Sequence, residues 1–152
     1  MIYLIDGYNF IGAHPTLSIR DSEKVARLTQ LLLDHPILDQ HHLIVIFDGQ
    51  TDYDLYGRKE RFHQDHLICY YTDPGDTADR VLIQLISSLK NKKKLGLVTN
   101  DRDIISHCKH GKIKKYSCQD FVELLDHYSP QQHTPIKPHQ DPNVNYWLSQ
   151  FS

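Results

Sequence analysis

Apolar residues fall in short unbroken runs along this chain rather than in alternation with polar ones. Ile2-Tyr3-Leu4-Ile5, Leu43-Ile44-Val45-Ile46-Phe47, Leu67-Ile68-Cys69-Tyr70-Tyr71 and Leu95-Gly96-Leu97-Val98 are the clearest. Runs without a polar face are the pattern of parallel strands covered on both sides. Between them the period changes to that of a helix. Residues 22–35 carry Val25, Leu28, Leu31 and Leu32 on one stripe, with Ser22 placed as a cap and Pro36 as a stop. Residues 77–90 carry Ala78, Val81, Leu82, Leu85, Ile86 and Leu89 on another. The pattern predicts a further helix over 119–127 and a short edge strand over 113–116. Strand and helix alternate, so an α/β class with a mainly parallel sheet is expected. Right-handed crossovers would put helices on both faces.

Two segments stand outside this rhythm. Residues 51–64 are polar and basic with no apolar stripe, as expected of a loop or irregular helix over the top of the sheet. From residue 129 the chain is rich in Pro, His and Gln. The expected division is therefore a domain of 1–128 and a C-terminal tail of 129–152. Tyr146, Trp147, Leu148 and Phe151 give that tail a means of docking on the domain or on a partner.

Composition narrows the class further. A chain of 152 residues, 39% hydrophobic and 24% charged, is long enough for one domain with a real core. No apolar stretch nears the roughly 20 residues of a membrane span, so no membrane partner is expected. The first apolar run has no basic segment before it and stops at Asp6, unlike a signal peptide. Cys69, Cys108 and Cys118 are widely spaced with no CxxC pair, which reads as reduced thiols in the cytoplasm. Net charge is −2, which argues against coating nucleic acid by bulk charge but leaves room for a local basic patch. Lys90, Lys92, Lys93 and Lys94, ahead of the fourth run, read as a solvated surface at the amino-terminal end of the sheet.

Candidate chemistry lies at the other end. The first run stops at Asp6, the second at Asp48-Gly49, the third at TDPGDTAD and the fourth at Thr99-Asn100-Asp101-Arg102-Asp103. Ligands of open parallel sheets bind at the carboxyl ends of the strands. Four strands ending in acids therefore build one acidic edge. Asp76 and Asp79 are three apart, which puts them on one helix face able to point back at Asp6. Asp73 reads as a turn residue, Asp76 equally as a helix cap, and Asp48 as turn chemistry or as part of the site. Asp6, Asp79 and Asp101 have no such local explanation. Carboxylates packed together repel unless a cation sits among them. Hard oxygen donors select Mg²⁺ or Mn²⁺ over zinc. Asn9 and Asn100 offer amides to orient an acid or a water. Tyr8, Arg58, Lys59 and Arg61 place a ring and cations where a charged polymer would meet the edge, for stacking and phosphate contact, and the basic segment reads equally as a solvated loop.

With those residues placed, the sequence resembles the NYN domains, and most closely the YacP-like branch of the PIN-like nuclease superfamily. The resemblance rests on LIDGYNFIG, VIFDG, GRKE, GDTAD and VTND, in that order over roughly residues 1 to 127. It implies a three-layer α/β/α sandwich and metal-dependent ribonuclease activity. It makes Asp6, Asp79 and Asp101 the metal-binding acids, with Asp76 standing where the branch commonly has glutamate and Asp103 as an extra ligand. Arg58 and Lys59 fall in the stretch that implies substrate contact. Relatives acting on messenger RNA, in some cases at the ribosome, suggest those partners.

The expected activity is endoribonucleolytic hydrolysis with one or two Mg²⁺ or Mn²⁺ ions, leaving 5′-phosphate and 3′-hydroxyl ends. The alternative is a binding module for RNA or a ribosome-associated partner, with a metal pocket but little turnover. A phosphatase of the haloacid type is disfavoured, because no second aspartate follows Asp6 by two residues.

Overall fold

Both faces of the central strands are covered, which explains the unbroken apolar runs. The computed structural model describes residues 1–48, 61–64, 66–73, 75–89, 94–108 and 112–129, with the backbone alone for 61–64. Its strands are β1 (Ile2–Asp6), β2 (His42–Phe47), β3 (Arg61–Gln64), β4 (Leu67–Tyr71), β5 (Leu95–Val98) and β6 (Lys114–Tyr116). They form one sheet in the order β3-β4-β2-β1-β5-β6. β1, β2, β4, β5 and β6 run parallel to their neighbours, and β3 alone pairs antiparallel, with β4.

Helices α1 (Gly7–Ala13), α2 (Lys24–Leu33) and α5 (Cys118–Asp126) cover one face, together with a 3-10 turn at Pro36–Asp39. Helices α3 (Ala78–Ser88) and α4 (Arg102–His107) cover the other. Successive residues of β1 feed the two layers in turn. Tyr3 and Ile5 pack with Phe10, Leu28 and Phe121, whereas Ile2 and Leu4 pack with Leu82, Leu85 and Ile104. The chain is thus a three-layer α/β/α sandwich, as expected. Among the described residues no helix is long and apolar enough to cross a membrane. All three cysteines are buried and none is in a disulfide.

Four details differ from the sequence reading. Gly7–Ala13, where the pattern predicts no element, is a helix, held down by Phe10 and Ile11 at 0% exposure. Gly7 makes this possible: a Cβ there would lie 2.4 Å from the Phe47 ring. Gly7→Ala is therefore expected to cost about 1–3 kcal/mol by overpacking, readable in a denaturant melt. An unchanged midpoint would show that Phe47 can move aside. Helix α2 starts at Lys24 without a side-chain cap, because Asp21 rather than Ser22 receives the preceding Glu23 amide, at 2.9 Å. Pro36 opens the 3-10 turn instead of simply ending α2. Residues 61–64 form edge strand β3 rather than a loop, so Arg61 lies in the sheet.

Candidate active site

Parallel strands in register finish together, and the acids follow from that. Asp6 ends β1 opposite Ile46, Asp48 follows the end of β2, and Asp101 follows β5. Ile5 pairs with Val98, which brings Thr99 level with Asp6. Asp6 occupies the N-cap position of α1 but makes no side-chain cap bond, so its carboxylate remains with the site. It is 6% exposed. Its Oδ2 accepts from the Asn9 amide nitrogen at 2.9 Å and from the Thr99 hydroxyl at 3.3 Å.

Asp101 caps α4, its Oδ1 accepting from the Asp103 amide at 2.8 Å. Asp79 lies in the first turn of α3, whose cap is Thr77. Burial, then the charge of Asp79 and later that of Asp101, pushes the Asp6 carboxyl up to about 6, against the hydrogen bonds from Asn9 and Thr99. Asp79 is raised first by burial, then by the Asp101 charge and a hydrogen bond to Asp101, then by Asp48 and Asp103. The fold therefore gathers Asp6, Asp79 and Asp101 within electrostatic reach of one another, with Asp48 and Asp103 beside Asp79.

The remaining expected residues divide. Asn9 orients Asp6 as its position suggests. Asn100 instead turns its amide oxygen to the Cys118 backbone N–H at 2.8 Å, clamping the start of α5. Asp76 does not share a helix face with Asp79, because α3 begins only at Ala78. Its Oδ1 accepts from the Thr77 amide at 2.9 Å, and Arg80 stands 3.7 Å away. Asp103 is exposed on α4 and reaches the cluster through its charge on Asp79. Tyr8 is half-buried, its ring edge-on to Phe47 at 5.2 Å, with the Lys24 ammonium 5.7 Å above it. Arg58, Lys59 and the Arg61 side chain lie outside the described residues.

Two residues in the site escaped the sequence reading. Thr99, 0% exposed, donates to Asp6 and accepts the Asp101 amide at 3.0 Å, so one hydroxyl ties two acids together. Its signal was a polar residue closing a buried strand. Thr99→Val is expected to cost about 1–3 kcal/mol by removing the acceptor of the half-buried Asp101 N–H, and Thr99→Ser to restore most of it. Equal melting midpoints for all three proteins would remove the hydroxyl from this role. Cys118 is the other. Burial first, then Asp6, pushes its thiol up to about 12.

The donor set fits a hard cation. Asp6, Asp79 and Asp101 offer only carboxylate oxygens, and the thiol nearby resists ionisation, so the soft ligand that zinc favours is missing. Among the described residues no three His, Cys, Asp or Glu side chains already stand arranged to hold one ion.

A sequence profile of the YacP-like NYN domain matches residues 3–151. The chain belongs to the YacP-like NYN domain family. The match runs past the last motif, VTND, and through most of the tail. The NYN domain is a PIN-like nuclease domain, so the coarse class of chemistry is nucleolytic. No curated protein matches the chain. Two crystal structures of Rae1 (YacP) from Bacillus subtilis share its fold. One is 22% identical, with a TM-score of 0.65 over 83% of this chain and 74% of that one. The other, a tryptophan-to-leucine mutant, is 24% identical, with a TM-score of 0.58 over 82% and 76%.

Proposed function

We propose that this NYN domain is a cytoplasmic endoribonuclease that depends on one or two Mg²⁺ or Mn²⁺ ions. The observation that carries the reading is the Asp6 carboxyl, driven up to about 6 by burial and by Asp79 and Asp101. A fold that brings three acids within electrostatic reach of one another bears a standing penalty, which a divalent cation would relieve. The substrate argues the same way, because a phosphodiester anion is repelled by bare carboxylates. Three buried cysteines outside any disulfide accord with a reducing compartment. Messenger RNA, met at the ribosome, is the substrate that the family resemblance offers.

Asp6, Asp79 and Asp101 would hold the ion, with Asp103 and Asp48 adding negative charge around it. When bound, the ion supplies Lewis-acid activation of water and neutralises charge developing on the phosphate. The protein's own part is positioning. Asn9 and Thr99 fix Asp6 through Oδ2. The Asp103 amide of α4 holds Asp101 through Oδ1. Tyr8, Arg58, Lys59 and Arg61 are assigned to RNA contact, and Asp76 to shaping the turn before α3.

The test is cleavage of a labelled single-stranded RNA with Mn²⁺ or with chelator, followed by end-group analysis. Metal-dependent products with 5′-phosphate ends support the reading. Cyclic phosphate ends would overturn it, since they require attack by the ribose 2′-hydroxyl. The open arrangement of the acids favours one second reading, an RNA-binding module with little turnover. Binding that persists with no cleavage under any ion would select it.

A further inference from the structure

Two arginines stand at the rim of the acid cluster, and the chemistry described so far uses neither. Arg80 follows Asp79 in the first turn of α3, and Arg102 follows Asp101 as the first residue of α4. A hydrogen bond links Asp79 to Asp101, so the first turns of α3 and α4 meet at that pair. Both helices cover the same face of the sheet. Asp6 belongs to that face too, because it continues the alternation of Ile2 and Leu4, which pack beneath α3 and α4. The acid cluster therefore lies on the α3–α4 side, with an arginine next in chain to two of its acids.

Neither arginine has a local reason to be there. Each stands in the first turn of a helix, where the dipole favours acids and disfavours cations. Arg80 has Asp76 3.7 Å away, but side-chain exposures of 74% and 38% make that pair weak. Arg102 is exposed and forms no ion pair among the described residues, although Asp101 and Asp103 flank it in the chain. Arg27 differs: it lies on α2, over the other face, and has both Asp21 and Glu23 as partners.

We propose that Arg80 and Arg102 are the substrate-positioning pair of this site, holding the RNA phosphates on either side of the one that meets the acids. The proposal rests on the nuclease reading of that edge. The planar fork of arginine matches the oxygens of a phosphate, which a lysine ammonium does not. The charge of the pair also answers a difficulty of the site. Three ionised carboxylates around one divalent ion still carry net negative charge, which repels a phosphodiester, and the two arginines offset it. Because they stand on two helices, they meet phosphates on two sides of the bond to be cut. Affinity then depends on chain length. A dinucleotide, with a single phosphodiester, reaches the acids but neither arginine.

The experiment compares Mn²⁺-dependent cleavage of a uridine hexanucleotide and of the dinucleotide UpU. The proteins are wild type, Arg80→Gln, Arg102→Gln, their double variant, Arg102→Lys and Arg27→Gln. Each of Arg80→Gln and Arg102→Gln is expected to raise KM for the hexanucleotide about tenfold, with kcat held within about twofold. The salt slope of kcat/KM should flatten by roughly 0.7 for each lost phosphate contact. Arg102→Lys should recover that slope but only part of the affinity, since it keeps the charge and loses the fork. Turnover of UpU should be alike in wild type and double variant. Arg27→Gln removes the same charge from the other face and should behave as wild type. An unchanged KM in the double variant would overturn the proposal. So would an equal loss on UpU, or an equal loss in Arg27→Gln, which would reduce the effect to net charge. The rise in melting temperature with Mn²⁺ should persist in the double variant; its disappearance would make the arginines part of the ion site and not of substrate binding. If wild type cleaves neither RNA, the nuclease reading falls, and fluorescence anisotropy of the labelled hexanucleotide in Mn²⁺ decides the proposal alone. Binding at least about tenfold weaker in the double variant upholds it, and equal binding overturns it.

Discussion

Asp6→Asn is expected to abolish metal-dependent RNA cleavage and, at the same time, to make the metal-free protein more stable. The two effects have one cause. Ionising Asp6 inside the fold is opposed by burial and by Asp79, so its carboxyl titrates near 6 instead of 3.8. Two pKa units correspond to about 3 kcal/mol of stability at neutral pH, as an upper bound. The amide of Asn accepts the same bonds from Asn9 and Thr99 without carrying charge. A gain of up to 3 kcal/mol would raise the melting temperature by roughly 6–10 °C in a chain of this size.

The sign follows from proton binding. A carboxyl whose folded pKa lies above its unfolded value holds its proton more tightly in the fold. Stability therefore falls as pH rises from about 4 to about 6, and stays low above that. The difference between wild-type and variant melts in chelator should open across that window and then level off. Cleavage should fall by about a thousandfold, the equivalent of some 4 kcal/mol of lost transition-state stabilisation. A variant less stable than wild type at neutral pH would mean that Asp6 is a structural cap and not a strained ligand.

Manganese should stabilise the wild type and leave Asp6→Asn unmoved. An ion that binds only the folded chain contributes RT ln(1 + [L]/Kd), about 2.7 kcal/mol at a hundredfold excess over Kd. The corresponding rise in melting temperature is about 5–10 °C. Asp79→Asn and Asp101→Asn should each diminish it. Protons compete for the same oxygens, since Asp6 titrates near 6 and Asp79 is also raised. The shift should accordingly shrink as pH falls from about 7 towards 5. Equal shifts in wild type and Asp6→Asn would place the ion elsewhere and detach the acid cluster from metal binding.

Much of this was legible in the chain before any coordinates. The four apolar runs are strands β1, β2, β4 and β5, and the helical stripes are α2, α3 and α5, within a few residues at each end. Short-range physics decides these, because a strand covered on both faces needs no polar side and an amphipathic helix needs one. The placement of acids at strand ends was also legible, since the parallel class implies a common carboxyl edge. Local competition was not. GYNFIGA has the residues of a turn, yet Phe10 and Ile11 find the core and Phe47 fills the space beside Gly7. GDTAD suggested a helix beginning at Asp76, but the Thr77 hydroxyl takes the cap and leaves Asp76 outside.

The sequence by itself determined that this is an α/β domain with carboxylates at the ends of its strands, because periodicity and strand termini are local properties. Only the tertiary structure decided which groups meet. Residues 93 positions apart become hydrogen-bond partners at Asp6 and Thr99, because β5 inserts beside β1. Charge acts over a few ångströms of space, not along the chain, so strand order sets its consequences.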